Sequence, residues 1–144
     1  MIVINNQEEM KPYYNEKINT YEFIENNRLI DIKIDFDLNI ECNINARNIN
    51  ALDIKARDIN ARYINARDIQ AGNINAWNIN SGDINAWDIN ARDINAIDIK
   101  SNNISFYAVC FARETFVCNS IKGRRENSKY FCLDSDVVIK SQKS

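Results

Sequence analysis

Seven aspartates, Asp53, Asp58, Asp68, Asp83, Asp88, Asp93 and Asp98, each stand immediately before an isoleucine. Carboxylates held in pairs are the groups that hydrolyse glycosides, one as acid and the other as base or nucleophile. That chemistry requires two carboxyls in different surroundings, inside a cleft that excludes water. Here each aspartate sits in much the same local sequence, and a convex repetitive surface offers no cleft. The chain contains no histidine, so the commonest general base is absent. It has no phosphate-binding glycine loop and no Ser/His/Asp set. The expectation is a protein that is not an enzyme and takes no cofactor.

Cys42, Cys110, Cys118 and Cys132 lack paired Cys-x-x-Cys spacing. A zinc site would need all four, and nothing in their order supports one, so no metal ligand is assigned. Without an export signal at Met1-Ile2-Val3-Ile4, the four are expected to be reduced thiols in a cytoplasmic protein. If the gene is carried by a phage, the compartment is the host cytoplasm. The apolar run 107–112 is too short to span a membrane.

The residue types suited to binding are few. Trp77 and Trp87, with Arg67 among the repeat arginines, belong to the classes enriched at binding hot spots. Lys122, Arg124, Arg125 and Lys129 form the one charged motif that does not repeat, suited to phosphates or to an acidic protein surface.

These side chains are positioned by a strict period. Thirteen isoleucines, from Ile44 to Ile104, recur every five residues. Two residues after each of the first twelve stands a small side chain, alanine at ten sites and Ser81 and Ser101 at the others. The residue before each isoleucine is Asn or Asp, except Tyr63. Five is neither the helical 3.6 nor the strand period of 2. Within a unit, however, Ile-x-Ala alternates as a strand does, and the next two residues must turn the chain. A helix would spread the isoleucines around its whole circumference. A short extended piece plus a corner, repeated, predicts a β-solenoid whose turns stack at about 4.8 Å and stabilise one another.

The units Asp53-Ile54, Asp58-Ile59, Asp68-Ile69 and their equivalents resemble the pentapeptide-repeat superfamily, in which Asp or Asn precedes a central apolar residue. The resemblance covers residues 43–104. The small residue departs from the family pattern, standing two after the isoleucine, while the usual small site holds Arg47, Arg62, Trp77 or Ile97. The Asp-Ile-Asn-Ala-x variety is also similar to proteins of low-GC Gram-positive bacteria and their phages, some with a segment like Ser120-Ile121-Lys122-Gly123-Arg124-Arg125.

The resemblance implies a right-handed quadrilateral β-helix with four units, twenty residues, per turn, and so about three coils. Residues i and i+20 would then stack. One outward column would read Arg47, Arg67, Trp87, Tyr107 and another Arg57, Trp77, Ile97, each with an arginine beneath a tryptophan at cation–π range. Gly72 and Gly82 would flank Trp77. Asparagine columns such as Asn45, Asn65, Asn85 would hydrogen-bond along the axis. Some members of the family imitate the charge of DNA and inhibit type II topoisomerases. With seven basic and seven acidic residues in 43–104, that role is expected to be muted by arginines neutralising the aspartates.

The flanks are expected to be β-rich caps over the open strand edges. Residues 1–42 form an N-terminal cap and lead-in strand, with alternation from Ile30 to Cys42. Residues 105–144 form a C-terminal cap with strands at 107–112, 115–121, 129–133 and 137–140, a tight turn at Arg113-Glu114 and a basic loop at 122–125. The N-terminal segment has four basic and nine acidic residues, and the C-terminal one seven and four, an acidic-to-basic gradient that can orient a partner.

The functional expectation is a non-catalytic protein-interaction module encoded by a phage or mobile element. It would inhibit a host enzyme of nucleic-acid processing or defence, in the manner of an anti-CRISPR. Its binding residues would be Trp77, Trp87, Arg67, Lys122, Arg124, Arg125 and Lys129. A protein partner is the first choice, with nucleic acid at the basic loop the second and homo-oligomers through the caps the third. The rivals are a structural, self-associating solenoid and a DNA-mimicking topoisomerase inhibitor.

Overall fold

The computed structural model describes residues 2–140. Residues 141–144 of the expected C-terminal cap lie outside the described residues. The chain is all-β, with a curled, open, twelve-stranded sheet in which nearly all pairing is parallel. Short strands at Ile2–Ile4, Asp31–Ile34, Leu38–Asn39, Asn43–Asn45 and Asn48–Ala51 lead into Asp53–Asn60, Tyr63–Asn75 and a 46-residue extended run, Asn78–Gly123. That run bends back alongside itself, because Ser101 Oγ donates to the Trp87 carbonyl at 3.1 Å and Asn103 Nδ2 to Asp88 Oδ1 at 3.0 Å.

The register corrects the twenty-residue step. Ile54 pairs with Ile69, Ile59 with Ile74, Ile64 with Ile79 and Ile69 with Ile84, always fifteen residues on. Three pentapeptides therefore separate stacked neighbours, not four. The inside of the sheet explains the shorter step. Each unit sends one isoleucine and one alanine inward, Ile44 to Ile104 being at most 2% exposed, and three such pairs fill a narrower section than four. Ser81 and Ser101 replace alanine without orphaning a hydroxyl. Ser81 Oγ donates to the carbonyls of Arg67 and Asp83, and Ser101 Oγ to those of Trp87 and Asn103. Burial of each isoleucine is worth about 1.5–3 kcal/mol, so this inner column supplies most of the apolar stabilisation.

Towards the C-terminus the step widens. Val109 pairs with Lys129 and Phe116 with Val137, because Phe106 and Phe116, both fully buried, occupy the inside where alanine stood before. Strands form at Lys129–Cys132 and Val137–Ile139. The expected turn at Arg113-Glu114 is absent; both residues continue the extended run, and the strands that follow pair with it in parallel instead of doubling back. The expected lead-in strand is likewise divided. Ile32, Ile34, Leu38, Ile40 and Cys42 do face inward, but residues 35–37 leave the ladder so that Ile34 can pair with Ala51 and Leu38 with Ile54.

At the N-terminal end a 3-10 helix, Gln7–Tyr13, is capped by Asn6 Oδ1 accepting from Glu9 N at 3.2 Å. Met10 and Phe23 plug the interior there. Asn26 and Asn27, both at positive φ, close the hairpin between Ile24–Glu25 and Arg28–Leu29, a conformation that asparagine tolerates in two-residue turns. Among the described residues no helix is long and apolar enough to cross a membrane.

Candidate functional site: three outward rows

A fifteen-residue step sorts the outward residues into three rows, and these differ from the columns expected at twenty. In the first row Arg62 N bonds to the Arg47 carbonyl, Trp77 N to that of Arg62 and Arg92 N to that of Trp77. The Trp77 ring therefore lies between two arginines, with the Arg62 guanidinium 4.9 Å and the Arg92 guanidinium 4.5 Å from its centroid. Tyr63 meets the same ring edge-on, at 6.4 Å and 81°. Tyr107 follows fifteen residues after Arg92, and the Arg125 guanidinium lies 5.8 Å from its ring. Arg124 locks this junction, donating from its backbone to the Phe106 carbonyl and from Nη2 to the Ala91 carbonyl at 2.8 Å. The structure thus brings Trp77, Arg124 and Arg125 onto one ridge, although the sequence separates them by almost fifty residues.

The second row is acidic. Asp53 pairs with Asp68 and Asp68 with Asp83; Asp37 aligns with Asp53 because Leu38 pairs with Ile54, and Asp98 follows Asp83. Arg67 belongs here, not beneath Trp87. Its Nε and Nη2 clamp Asp53 at 2.9 and 2.7 Å, and Nη2 lies 3.6 Å from Asp37. The clamp holds the Asp53 carboxyl below its ordinary value. Asp83 behaves oppositely: desolvation first, then a hydrogen bond with Asp98 and the charges of Asp98, Asp68 and Glu114, push its pKa up. The expected neutralisation of aspartates by arginines therefore holds for Asp53 but not along the whole row.

The third row carries Arg57, Gly72, Trp87 and Asn102. Trp87 is 69% exposed, the most exposed large apolar residue of the described chain. It borders an open groove of about 260 Å³ that includes Gln70, Asn85, Lys100, Asn102 and Lys140. Gly72, whose Cβ would come within 2.8 Å of the Arg57 carbonyl oxygen, leaves the strand beside the indole without a side chain.

The basic cluster is dispersed. Lys122 joins Asp88, Asn103 and Ser120 along a different groove, and Lys129 is exposed opposite Val109. The asparagine columns also follow the shorter step, as Asn45, Asn60, Asn75 and Asn90. All four cysteines are free; Cys42, Cys110 and Cys118 are buried, and burial pushes the Cys118 thiol up to about 11 and that of Cys110 higher still. Cys42, Cys110 and Cys118 pack as small apolar side chains, while Cys132 is half-buried with its sulfur 3.4 Å from Ser135 Oγ.

Charge is the property that a linear reading missed. The repeat segment is neutral in sum, yet the first row holds Arg47, Arg62 and Arg92 against Asp93, while the second holds Asp53, Asp68, Asp83 and Asp98 against Arg67. The signal was available: sorting the sequence at fifteen instead of twenty separates the two. No protein-family profile, curated protein or solved structure matches the chain.

Proposed function

We propose that the chain is a non-catalytic protein-interaction module of the pentapeptide-repeat type, its curled sheet a right-handed β-solenoid with three units per turn. The constant fifteen-residue parallel step supports the solenoid, and the strong preference for right-handed crossovers between parallel strands supports its hand. The binding reading is carried by Trp87. Leaving so large an apolar ring 69% exposed serves no packing purpose, and a tryptophan beside lysines and amides matches the anchors of protein interfaces. The partner we favour is an enzyme acting on nucleic acid, which the bound module inhibits.

The test compares wild type with Trp87→Ala as baits in a lysate of the native host, followed by mass spectrometry and titration of the captured protein. The expected result is a partner bound at least tenfold more weakly by the variant, equivalent to about 1.4 kcal/mol, with an unchanged melting temperature. A partner held equally by both proteins moves the site away from Trp87. A wild type that forms concentration-dependent oligomers through its ends, and captures nothing, favours the structural solenoid instead.

The acidic row supports a second reading, imitation of DNA towards a nucleic-acid enzyme. Its five carboxylates stand about 4.8 Å apart, but Arg67 and the raised Asp83 reduce the charge they present. Topoisomerase inhibition lost on Asp68→Asn/Asp98→Asn and kept in Trp87→Ala would select it.

A further inference from the structure

We infer that the ridge running from Arg62 to Arg125 is a binding site for single-stranded nucleic acid, separate from the Trp87 surface and independent of its function. Three observations converge on it. Firstly, cations and aromatic rings alternate: Arg62, Trp77 and Arg92 follow one another in direct contact, and Tyr107, fifteen residues after Arg92, carries the Arg125 guanidinium against its ring. Secondly, the guanidinia are held in place before any ligand arrives. Trp77 spaces those of Arg62 and Arg92 about two strand separations apart, roughly 9–10 Å, and contacts with the ring face leave their N–H edges free to donate to anions. Thirdly, the ridge is a local excess of positive charge. Arg47 is consumed by Asp31 through two hydrogen bonds, but no such pair is formed by Arg62, Arg92 or Arg125 among the described ion pairs. The acidic groups nearby are Asp93, whose carboxylate accepts from Val109 N at 3.1 Å, and Glu126.

A row of fixed guanidinia fits a linear polyanion. The aromatic component decides which one. Tyr63 is 45% and Tyr107 46% exposed; Tyr107 offers ring surface beside the Arg125 guanidinium, and Tyr63 beside the Trp77 ring that the arginines flank. Unpaired bases stack on such rings while their phosphates meet the cations. A duplex keeps its base faces inside the stack, so the rings favour a single strand over a duplex.

The experiment is fluorescence anisotropy of a labelled oligothymidylate with the whole protein, between 50 and 200 mM salt. With three guanidinia engaged, the logarithm of the binding constant should fall against the logarithm of salt with a slope of about −2. Arg62→Gln/Arg92→Gln should weaken binding at least tenfold and flatten that slope. Arg57→Gln, which removes a cation from the Trp87 row, should change affinity less than threefold, and Trp87→Ala should leave it unaltered. All these positions are exposed, and melting curves confirm the fold of each variant. The proposal is overturned if the oligonucleotide does not bind at 50 mM salt, or if Arg57→Gln costs as much as the double variant. It is equally overturned if duplex DNA binds more tightly than the single strand, or if polyglutamate competes as well as unlabelled oligothymidylate at equal charge. The last outcome would assign the ridge to an acidic protein. Loss of oligonucleotide binding leaves the Trp87 reading intact, and the converse also holds.

Discussion

Arg67 reaches across one strand to clamp Asp53 with two nitrogens, at 2.9 and 2.7 Å, and so sets Asp53 apart from Asp83, two strands on in the same row, which has no such partner among the described residues. Asp53 has a lowered pKa in the folded chain. Its stabilising contribution is present above the unfolded pKa and is lost as pH falls through the folded one. Asp83 has a raised pKa, from desolvation and from Asp98, Asp68 and Glu114. The folded chain therefore binds this proton more tightly than the unfolded chain does. That contribution is present below the unfolded pKa and disappears as pH rises through the folded one, so at neutral pH Asp83 repels its neighbours without compensation.

Replacing Asp83 with asparagine should accordingly stabilise the protein at pH 7. Like charges opposite one another across strands cost roughly 0.2–1 kcal/mol, and Asp83 is exposed, so the gain lies within that range. Thermal melts at pH 7 and pH 3 provide the check. The variant should melt a few degrees above wild type at pH 7, and the difference should vanish at pH 3. A variant that melts below wild type at pH 7 would show that the Asp83–Asp98 contact holds the row together.

The inward and outward alternation predicts a contrast between adjacent residues. Ile74 is 1% exposed, between Ile59 and Ile89 in the inner column. Ile74→Asp places an unpaired charge among apolar neighbours, a cost of several kcal/mol, and should abolish the cooperative melt. Asn75 points outward between Asn60 and Asn90, and Asn75→Asp should shift the midpoint by only a degree or two. Similar damage from both, measured by circular dichroism, would refute the facing.

Much of this architecture was legible because one residue type repeats at one spacing. The five-residue recurrence of isoleucine, with a small residue two places on, is sufficient to assign inward and outward faces from 43 to 104. The number of units between paired strands was not legible. Three or four units place each isoleucine inward equally well, and the choice depends on how much volume the stacked Ile and Ala side chains fill. That single ambiguity moved Arg67 from beneath Trp87 to the aspartate row, and placed Trp77 between Arg62 and Arg92. The same cause hid the ridge, since Arg124 and Arg125 reach Ala91, Phe106 and Tyr107 only once the layers are stacked. Where the period ends, at Phe106, alternation still located strands but not their direction. A break such as Arg113-Glu114 reads equally as a hairpin turn or as a bend in a chain that winds on, and burial of Phe116 and Cys118 against the previous layers decided for the second.

The glycines test the close stacking of the outward rows. A Cβ at Gly72 would lie 2.8 Å from the Arg57 carbonyl oxygen, and one at Gly82 would press still harder on that of Arg67. The obstacle in both cases is backbone, which cannot rotate away as a side-chain tip would. Neither residue has positive φ, so the penalty comes from crowding between layers and not from the backbone conformation of the glycine. Overpacking of this kind costs about 1–3 kcal/mol. Gly82→Ala should therefore lower the melting temperature by several degrees, and Gly72→Ala by less. Gly82→Ala also pushes on the carbonyl that accepts from Ser81 Oγ, next to the Arg67 clamp, so it should raise the apparent pKa of Asp53, read by carbon-detected NMR titration. Unchanged melting temperatures for both variants would mean that adjacent layers can separate locally, and that the fifteen-residue stack is looser than the carbonyl contacts indicate.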